Sequence, residues 1–193
     1  MATGAVARAR AAGRPAVTAE AVLTRLQVKR VPTFDVLADL FRADGGGALD
    51  VVVGGAAAAG VVVLDSVAAA VQGDGPAGAA HARCVRLGVL LHAFLAAHPA
   101  VHVLVTNQVR APPPDAGGGV LRRRQRAPEE AEVPALGLPW AQVPHARVCV
   151  RRVARGAGAR QMVLVTSPAD APCRQYFTIT EAGIEVEETL LYA

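Results

Sequence analysis

The feature that most constrains the fold is a run of apolar residues, Val-Val-Val-Leu at 61–64, that ends abruptly on Asp65 and Ser66. Continuous rather than alternating hydrophobicity predicts a strand that is buried on both faces, which is typical of a central parallel strand in an α/β sheet. Ligands of such sheets bind beyond the carboxyl ends of the strands, where these two polar residues lie. Asp65 therefore either holds the Mg²⁺ of a bound nucleotide through water, as in a Walker B strand, or caps the helix that follows.

A second apolar run, at 101–105, ends on Thr106, Asn107 and Gln108. An amphipathic helix is predicted at 79–97, between the two runs. The order strand, helix, strand predicts two parallel strands with a right-handed crossover, so both polar ends emerge at one edge of the sheet. This pattern predicts an α/β fold, with a mostly parallel central sheet flanked by helices, and a ligand crevice at that edge.

The segment 109–133 follows this crevice and has the composition of a long mobile loop, with a proline triplet, a glycine triplet and a basic run. Its basic residues are Arg110, Arg122, Arg123, Arg124 and Arg126. One interpretation is a solvated linker whose arginines are partly neutralised by the glutamates that follow them. The other is a loop that becomes ordered on the phosphates of a nucleic acid.

Composition excludes several classes of protein. A chain of 193 residues that is 52% hydrophobic is long enough for one core, and 20 basic against 16 acidic residues are compatible with nucleic acid. Three widely separated cysteines indicate neither a disulfide framework nor a zinc site. No apolar run approaches the roughly 20 residues that cross a bilayer, so we expect a soluble protein without a membrane partner.

The remaining segments are assigned from local patterns. Residues 1–25 are expected to be disordered or frayed, although their arginines are also compatible with an organellar transit peptide. Thr33 is the expected N-cap of a helix that begins after Pro32. We predict short strands at 26–31, 49–53, 146–152, 162–166 and 176–180, and an acidic stretch at 181–188 that frays.

One absence bears on nucleotide chemistry. Lys29 is the only lysine in the chain, and no Gly-x-x-x-x-Gly precedes it, so the sequence contains no G-x-x-x-x-G-K-[ST] phosphate loop. The glycine cluster at 45–47 has no lysine after it and is read as a turn.

Four segments resemble RecA-like recombinases in order and spacing. They are Val-Val-Val-Leu-Asp-Ser-Val-Ala-Ala at 61–69, Val-Thr-Asn-Gln-Val-Arg at 105–110, Pro-Ala-Leu-Gly-Leu-Pro-Trp-Ala at 134–141 and Phe-Thr-Ile-Thr-Glu-Ala-Gly-Ile at 177–184. The resemblance is greatest to eukaryotic recombinase paralogs of the X-ray-repair cross-complementing type, and it covers 26–186, leaving 187–193 as a tail. It implies a partial RecA-like ATPase core that acts in the nucleus in DNA repair by homologous recombination.

The resemblance also implies roles for individual residues. Asp65, with Ser66 beside it, would serve Mg²⁺ and ATP. Asn107 and Gln108 would sense the γ-phosphate and pass that state to the DNA-binding loop at 109–133. The glycine-rich connection at 72–78 corresponds to a first DNA-facing loop. The segment 167–172 resembles a cap over the nucleotide of a neighbouring subunit, and its cap residues are Pro168, Asp170 and Pro172.

The implied partners are other recombinase paralog subunits and single- or double-stranded DNA. The implied activity is DNA-dependent ATP hydrolysis, but the family's Walker A segment and the catalytic glutamate after it have no counterpart in the 193 residues. We therefore expect no hydrolysis, and no stable binding of ATP and Mg²⁺, by this chain alone. Two interpretations stay open: the carboxyl-terminal part of a repair ATPase, as from a truncated gene model, or a non-catalytic assembly module that docks on intact paralogs.

Overall fold

The structure is a computed structural model, and it describes residues 18–42, 47–49, 60–73, 76, 78–110, 133–153, 158–181 and 183–191. The chain divides into two compact units. The α/β unit comprises Arg30–Pro144, and the sheet unit comprises Met1–Lys29 together with His145–Ala193.

The α/β unit contains both helices and strands, whereas the described part of the sheet unit is mostly β. In chain order the elements are α1 (Ala19–Leu23), α2 (Phe34–Leu40), β1 (Gly60–Leu64), α3 (Val67–Gln72), α4 (Ala79–Ala97), β2 (Val101–Val105), β3 (Val109–Arg110), β4 (Val133–Pro134), α5 (Gly137–Ala141), β5 (Arg147–Arg152), β6 (Ala159–Thr166), β7 (Cys173–Thr180) and β8 (Gly183–Leu191).

The strand-helix-strand core that the sequence predicts is confirmed. Strands β1 and β2 pair in parallel, from Gly60 opposite Val101 to Leu64 opposite Val105. Helix α4 spans the predicted residues and buries one stripe, which includes Leu87 and Phe94. The ring of Phe94 meets that of Phe41 edge to face, with centroids 5.2 Å apart. Such aromatic contacts add to the stability gained by burying both rings.

The prediction that β1 is buried on both faces is wrong for the described structure. Burial alternates along the strand: Val62 and Leu64 pack against the helical core, while Val61 and Val63 are 66% and 55% exposed. Leu104 of β2 is 57% exposed as well. The run is continuous because both faces are apolar, but the helices described in this unit cover only one of them.

Local predictions in the α/β unit have mixed outcomes. The cap of α2 is confirmed, since the hydroxyl of Thr33 accepts a hydrogen bond from the backbone N–H of Val36. The strand predicted at 26–31 is wrong, because these residues are irregular. Leu49 lies in a helical stretch rather than a strand, and the rest of the segment 50–59 lies outside the described residues.

Helix α4 is also apolar enough to pass for a membrane span by length and composition, with a mean hydropathy of 1.2 over its best window. Arg83 and Arg86 interrupt its apolar residues, so it is not the continuous apolar run that the sequence analysis looked for. A buried core helix passes the same test, and Cys84 and Leu91 do pack inside the α/β unit. Burial raises the pKa of the Cys84 thiol, which keeps this side chain neutral and inert in the core.

The sheet unit contains a four-stranded antiparallel sheet in the order β5-β6-β7-β8. Its strands begin earlier than the sequence predicts at β6 and β7. The expectation that 181–188 frays is wrong, because Gly183–Leu191 pairs with β7 along its length. The turn depends on Gly183, whose positive φ of 120° disfavours other residues. At the other end of the chain, α1 lies inside the segment expected to be frayed.

Candidate functional site

The polar residues that end β1 and β2 come together, as the sequence predicts. The hydroxyl of Thr106 donates a hydrogen bond to Oδ1 of Asp65 over 2.6 Å. The backbone of Thr106 is held on both sides, because its N–H donates to the carbonyl of Leu64 and its carbonyl accepts from the N–H of Val67. Thr106 therefore fixes the orientation of an exposed carboxylate at the carboxyl end of the sheet.

The alternative interpretation of Asp65 as a helix cap is wrong. Helix α3 begins at Val67, and the residue at its N-cap position is Ser66, whose side chain makes no capping hydrogen bond. The peptide bond between Asp65 and Ser66 is cis. Since the Asp65 carboxylate bonds to the neighbouring strand instead of to the helix, it is available for a ligand at the sheet edge.

Asn107 lies next to this pair and has an unusual environment. Both polar atoms of its amide are buried, and neither has a hydrogen-bond partner among the residues that the structure describes. Most buried amides in folded proteins are hydrogen-bonded, and an unsatisfied one costs about 1–3 kcal/mol. A side chain that bears this cost is more often found at a functional site than in an ordinary core. The side chain of Gln108, by contrast, is exposed.

A short stem leads from this crevice to the arginine-rich loop. Strands β3 and β4 pair Val109 with Pro134 and Arg110 with Val133, so the two ends of the loop lie side by side. The stem is tied to the end of β2, because the N–H of Ala135 donates to the carbonyl of Gln108 over 2.8 Å. Arg110 is exposed in this stem. The other four arginines, Arg122, Arg123, Arg124 and Arg126, lie outside the described residues.

The connection between α3 and α4, which the resemblance implies is a first DNA-facing loop, is anchored at its base by one arginine. The Nη1 of Arg83 donates to the carbonyls of Val71 and Gly73 over 3.3 and 3.2 Å. The same guanidinium lies over the ring of Phe34, 5.8 Å from its centroid. Arg83 is therefore held in place by the ends of this connection.

The predicted cap segment forms a tight turn at the end of β6. The Ser167 hydroxyl donates to Oδ2 of Asp170 over 3.0 Å and accepts from the backbone N–H groups of Ala169 and Asp170. Asp170 and Pro172 help to line an open cavity of about 190 Å³. Because pockets for small molecules usually measure 300–1,000 Å³, this cavity is too small to enclose a nucleotide by itself.

The residues at the sheet edge fit Mg²⁺ only as part of a larger site. Among the described residues, no three His, Cys, Asp or Glu side chains are grouped so that they could hold a metal ion. Mg²⁺ is commonly held by one or two carboxylates, several waters and the phosphates of a substrate. Asp65 would supply the carboxylate, through water, and the phosphates would have to come from a bound nucleotide.

One feature of the site and one feature of the sheet unit were missed from the sequence. Thr106 was placed at the polar end of β2 but was given no role of its own, and its signal was its position as the first polar residue after the apolar run. The feature of the sheet unit is a pair of arginines: Arg152 of β5 lies directly opposite Arg160 of β6. Like charges directly opposite each other are destabilising. The Nη1 of Arg160 donates to the backbone carbonyls of Gly158 and Ala159.

Comparison with known proteins identifies the fold. No family model matches the sequence, and no curated protein matches it. Among solved structures, the chain is similar to one titled "Crystal structure of the RadB recombinase", with a TM-score of 0.58 and 21% sequence identity, over 97% of this chain and 74% of that one. The chain has a RecA-like fold. At this identity the RecA-like fold is what the likeness establishes, and it confirms the predicted class with its parallel strands and flanking helices.

Proposed function

We propose that this chain is a DNA-binding recombinase subunit that acts in homologous-recombination repair, within an assembly whose other subunits supply the phosphate-holding residues. The structural neighbour is a recombinase by its title, which supports the class of process. The observation that carries the proposal is the connection from Asp65 to the arginine-rich loop. Thr106 joins the two polar strand ends, and the β3–β4 stem begins one residue after Gln108.

Nucleotide binding is assigned a sensing role in this proposal. Asp65 would hold Mg²⁺ through water. Asn107 and Gln108 would contact the γ-phosphate, so their position would depend on whether that phosphate is present or has been lost. Asn107 is suited to that role because its amide has unused hydrogen-bonding capacity. The backbone bond from Ala135 to Gln108 ties the stem to the sensing residues, so a shift of Gln108 would move the loop.

DNA binding is assigned to the loop and is expected to be electrostatic. Its consecutive arginines can neutralise phosphates, but they have no interleaved aromatic residues on which bases could stack. The Arg152–Arg160 pair would add a second phosphate contact outside the loop. We assign the nucleus as the site of action and the eukaryotic X-ray-repair cross-complementing type as the paralog class, on the four matching sequence segments.

The test is a fluorescence anisotropy titration of the chain against labelled single-stranded and duplex DNA over a series of salt concentrations. Replacing Arg122, Arg123, Arg124 and Arg126 by Ala should remove most of the affinity. It should also lower the slope of log K against log salt by about 3, since each contact with single-stranded phosphate contributes about 0.7. A matched control removes four arginines elsewhere, at Arg8, Arg10, Arg14 and Arg25, and should leave the binding nearly unchanged. Equal losses in both variants would show that the binding reflects net charge alone.

A second candidate function is a non-catalytic assembly module, and the exposed apolar face of β1 and β2 favours it. In that case the chain would dock on an intact RecA-like subunit, and its cap segment would cover the nucleotide bound by that subunit. Adding the chain to such a subunit should then change its ATPase rate. Asp170→Ala, which removes the carboxylate at the cap turn, should weaken this effect, whereas the four-arginine loop variant should not.

A further inference from the structure

Two hydrogen bonds meet at Ala135, the first residue after the β3–β4 stem. Its backbone N–H donates to the carbonyl of Gln108 over 2.8 Å. Its carbonyl accepts from Nε2 of Gln72, the last residue of α3, over 3.5 Å, which is long for such a bond. Gln72 and Ala135 are 63 positions apart in the sequence, so this contact joins two distant segments. The end of the stem is therefore held from two sides.

The backbone of Gln72 is itself fixed by a neighbouring helix. Arg83 of α4 donates to the carbonyls of Val71 and Gly73, which are the residues on either side of Gln72. An arginine at the last carbonyls of a helix is favourable both for hydrogen bonding and for the helix dipole. The same guanidinium lies over the ring of Phe34, which is only 5% exposed. Gln72 thus combines an anchored backbone with a side chain that reaches the stem.

Helix α3 runs from the crevice to this contact. Its first residue, Val67, lies two positions after Asp65, and the N–H of Val67 donates to the carbonyl of Thr106. Three of the six residues of α3 are buried in the α/β unit, so the helix is packed along its length. Packed elements shift as units rather than deform continuously. The crevice is therefore joined to the stem by two routes, one through the end of β2 and one through α3.

We propose that Gln72 is a positioning residue that couples α3 to the stem of the arginine-rich loop. Gln72 and Gln108 hold the two backbone polar groups of Ala135, so together they fix the direction in which the stem leaves the crevice. The consequence for DNA rests on the proposed function, in which the loop binds phosphates. A stem that is already fixed reduces the conformational entropy lost on binding.

The test compares backbone hydrogen exchange in the wild-type chain and in Gln72→Met, measured by mass spectrometry of proteolytic peptides. Methionine keeps the length of the side chain and its neutrality but removes the donor. Exchange in a peptide that contains Ala135 should become about fivefold faster, because one exposed hydrogen bond contributes modestly to local stability. Peptides from β2 and from the centre of α4 should exchange as in the wild type.

Two further variants serve as controls. Gln142→Met is the matched control, because Gln142 is an exposed glutamine at the end of another helix, α5, of the same unit. It should leave the exchange of the stem unchanged. Gln72→Lys supplies a donor on a longer side chain and should return the exchange close to the wild-type rate.

A second arm tests whether the anchored backbone contributes. Arg83→Met removes the two bonds to the carbonyls but keeps an unbranched apolar chain against Phe34, and it should also speed exchange in the stem. The double variant Arg83→Met/Gln72→Met should exchange no faster there than Gln72→Met, because both changes act through one link. Additive effects on the stem would contradict such a link.

DNA binding separates this inference from the proposed function. In the anisotropy titration, Gln72→Met should weaken binding roughly threefold and leave the salt dependence unchanged, because the number of phosphate contacts stays the same. Wild-type exchange of the stem in Gln72→Met, or an acceleration that extends equally to β2 and α4, would overturn the proposal. If the wild-type chain binds no DNA, the proposed function fails, and the exchange rates still decide whether Gln72 holds the stem.

Discussion

The α/β unit and the sheet unit bury their apolar residues in different ways. In the α/β unit, helices α2 to α5 close over one face of two parallel strands, and large side chains such as Phe41, Phe94 and Leu87 are completely buried. In the sheet unit, the described strands bury Ala159, Val163 and the polar Gln161 on one face of the sheet and Phe177 on the other. The first unit is thus stabilised mainly by packing, whereas the second depends more on its backbone ladder.

The largest expected effect compares one aromatic residue from each unit. Phe94→Ala should lower the free energy of unfolding by about 3–5 kcal/mol, because it leaves a cavity beside Phe41. Phe177→Ala should cost roughly half as much, since its neighbour Val186 is exposed and the site can collapse.

Urea denaturation should be followed by the fluorescence of Trp140, the single tryptophan, which is buried in the α/β unit. Far-UV circular dichroism would report on both units together. If both variants lost the same free energy of unfolding, the contrast between the two units would be contradicted.

An intermediate effect is expected at the uncovered face of β1 and β2. Burying apolar surface stabilises a protein by about 25 cal/mol per Å². If roughly 200 Å² of this face stays in contact with water, about 5 kcal/mol of stabilisation is not gained. We therefore expect the chain to aggregate through this face when it is made alone, and to be rescued by co-expression with an intact recombinase paralog.

The check replaces Val61 and Val63 by Thr, which keeps the β-branch but makes the exposed face more polar. Light scattering at a fixed temperature should fall severalfold, with Val22→Thr on α1 as the control. A wild-type chain that shows a sharp, cooperative thermal transition without scattering would show that this face needs no cover.

The smallest expected effect compares two threonine caps. Thr33 and Thr18 each accept a hydrogen bond from a backbone N–H in the first turn of a helix. Thr33→Ala should cost about 1 kcal/mol, because α2 packs into the core. Thr18→Ala should change the midpoint of urea unfolding little, because α1 buries no residue. A larger loss at Thr18 would mean that α1 contributes more to the sheet unit than its exposure suggests.

Much of the α/β unit was predictable because local and tertiary signals agree there. Helix α4 has its apolar residues at helical spacing, and the order strand, helix, strand fixes the direction of both strands. The exposure of the second face of β1 was not predictable. An apolar run shows that both faces of a strand can be covered, but it does not show whether another element covers them. The fraying predicted at 181–188 was wrong because acidic residues alternate with apolar ones there, which is a strand pattern.

Part of the candidate site was predictable as well. The meeting of Asp65 with the end of β2 follows from parallel pairing, since carboxyl ends of parallel strands lie at one edge. The particular hydrogen bond from Thr106 depends on side-chain positions that no sequence pattern specifies. In the sheet unit, the Arg152–Arg160 pair depends on the register of β5 against β6, and a shift of one residue would place the two guanidinium groups on different faces.

The most direct test of the central claim is a single-turnover ATPase assay of the isolated chain, with and without DNA. We infer that the chain carries the sensing residues and the DNA loop but not the groups that hold the β- and γ-phosphates, which are a glycine-rich backbone nest and its lysine. The expected result is no hydrolysis above the background of buffer, and no difference between the wild type and Asp65→Ala. A rate above background that disappears in Asp65→Ala would contradict this division of roles.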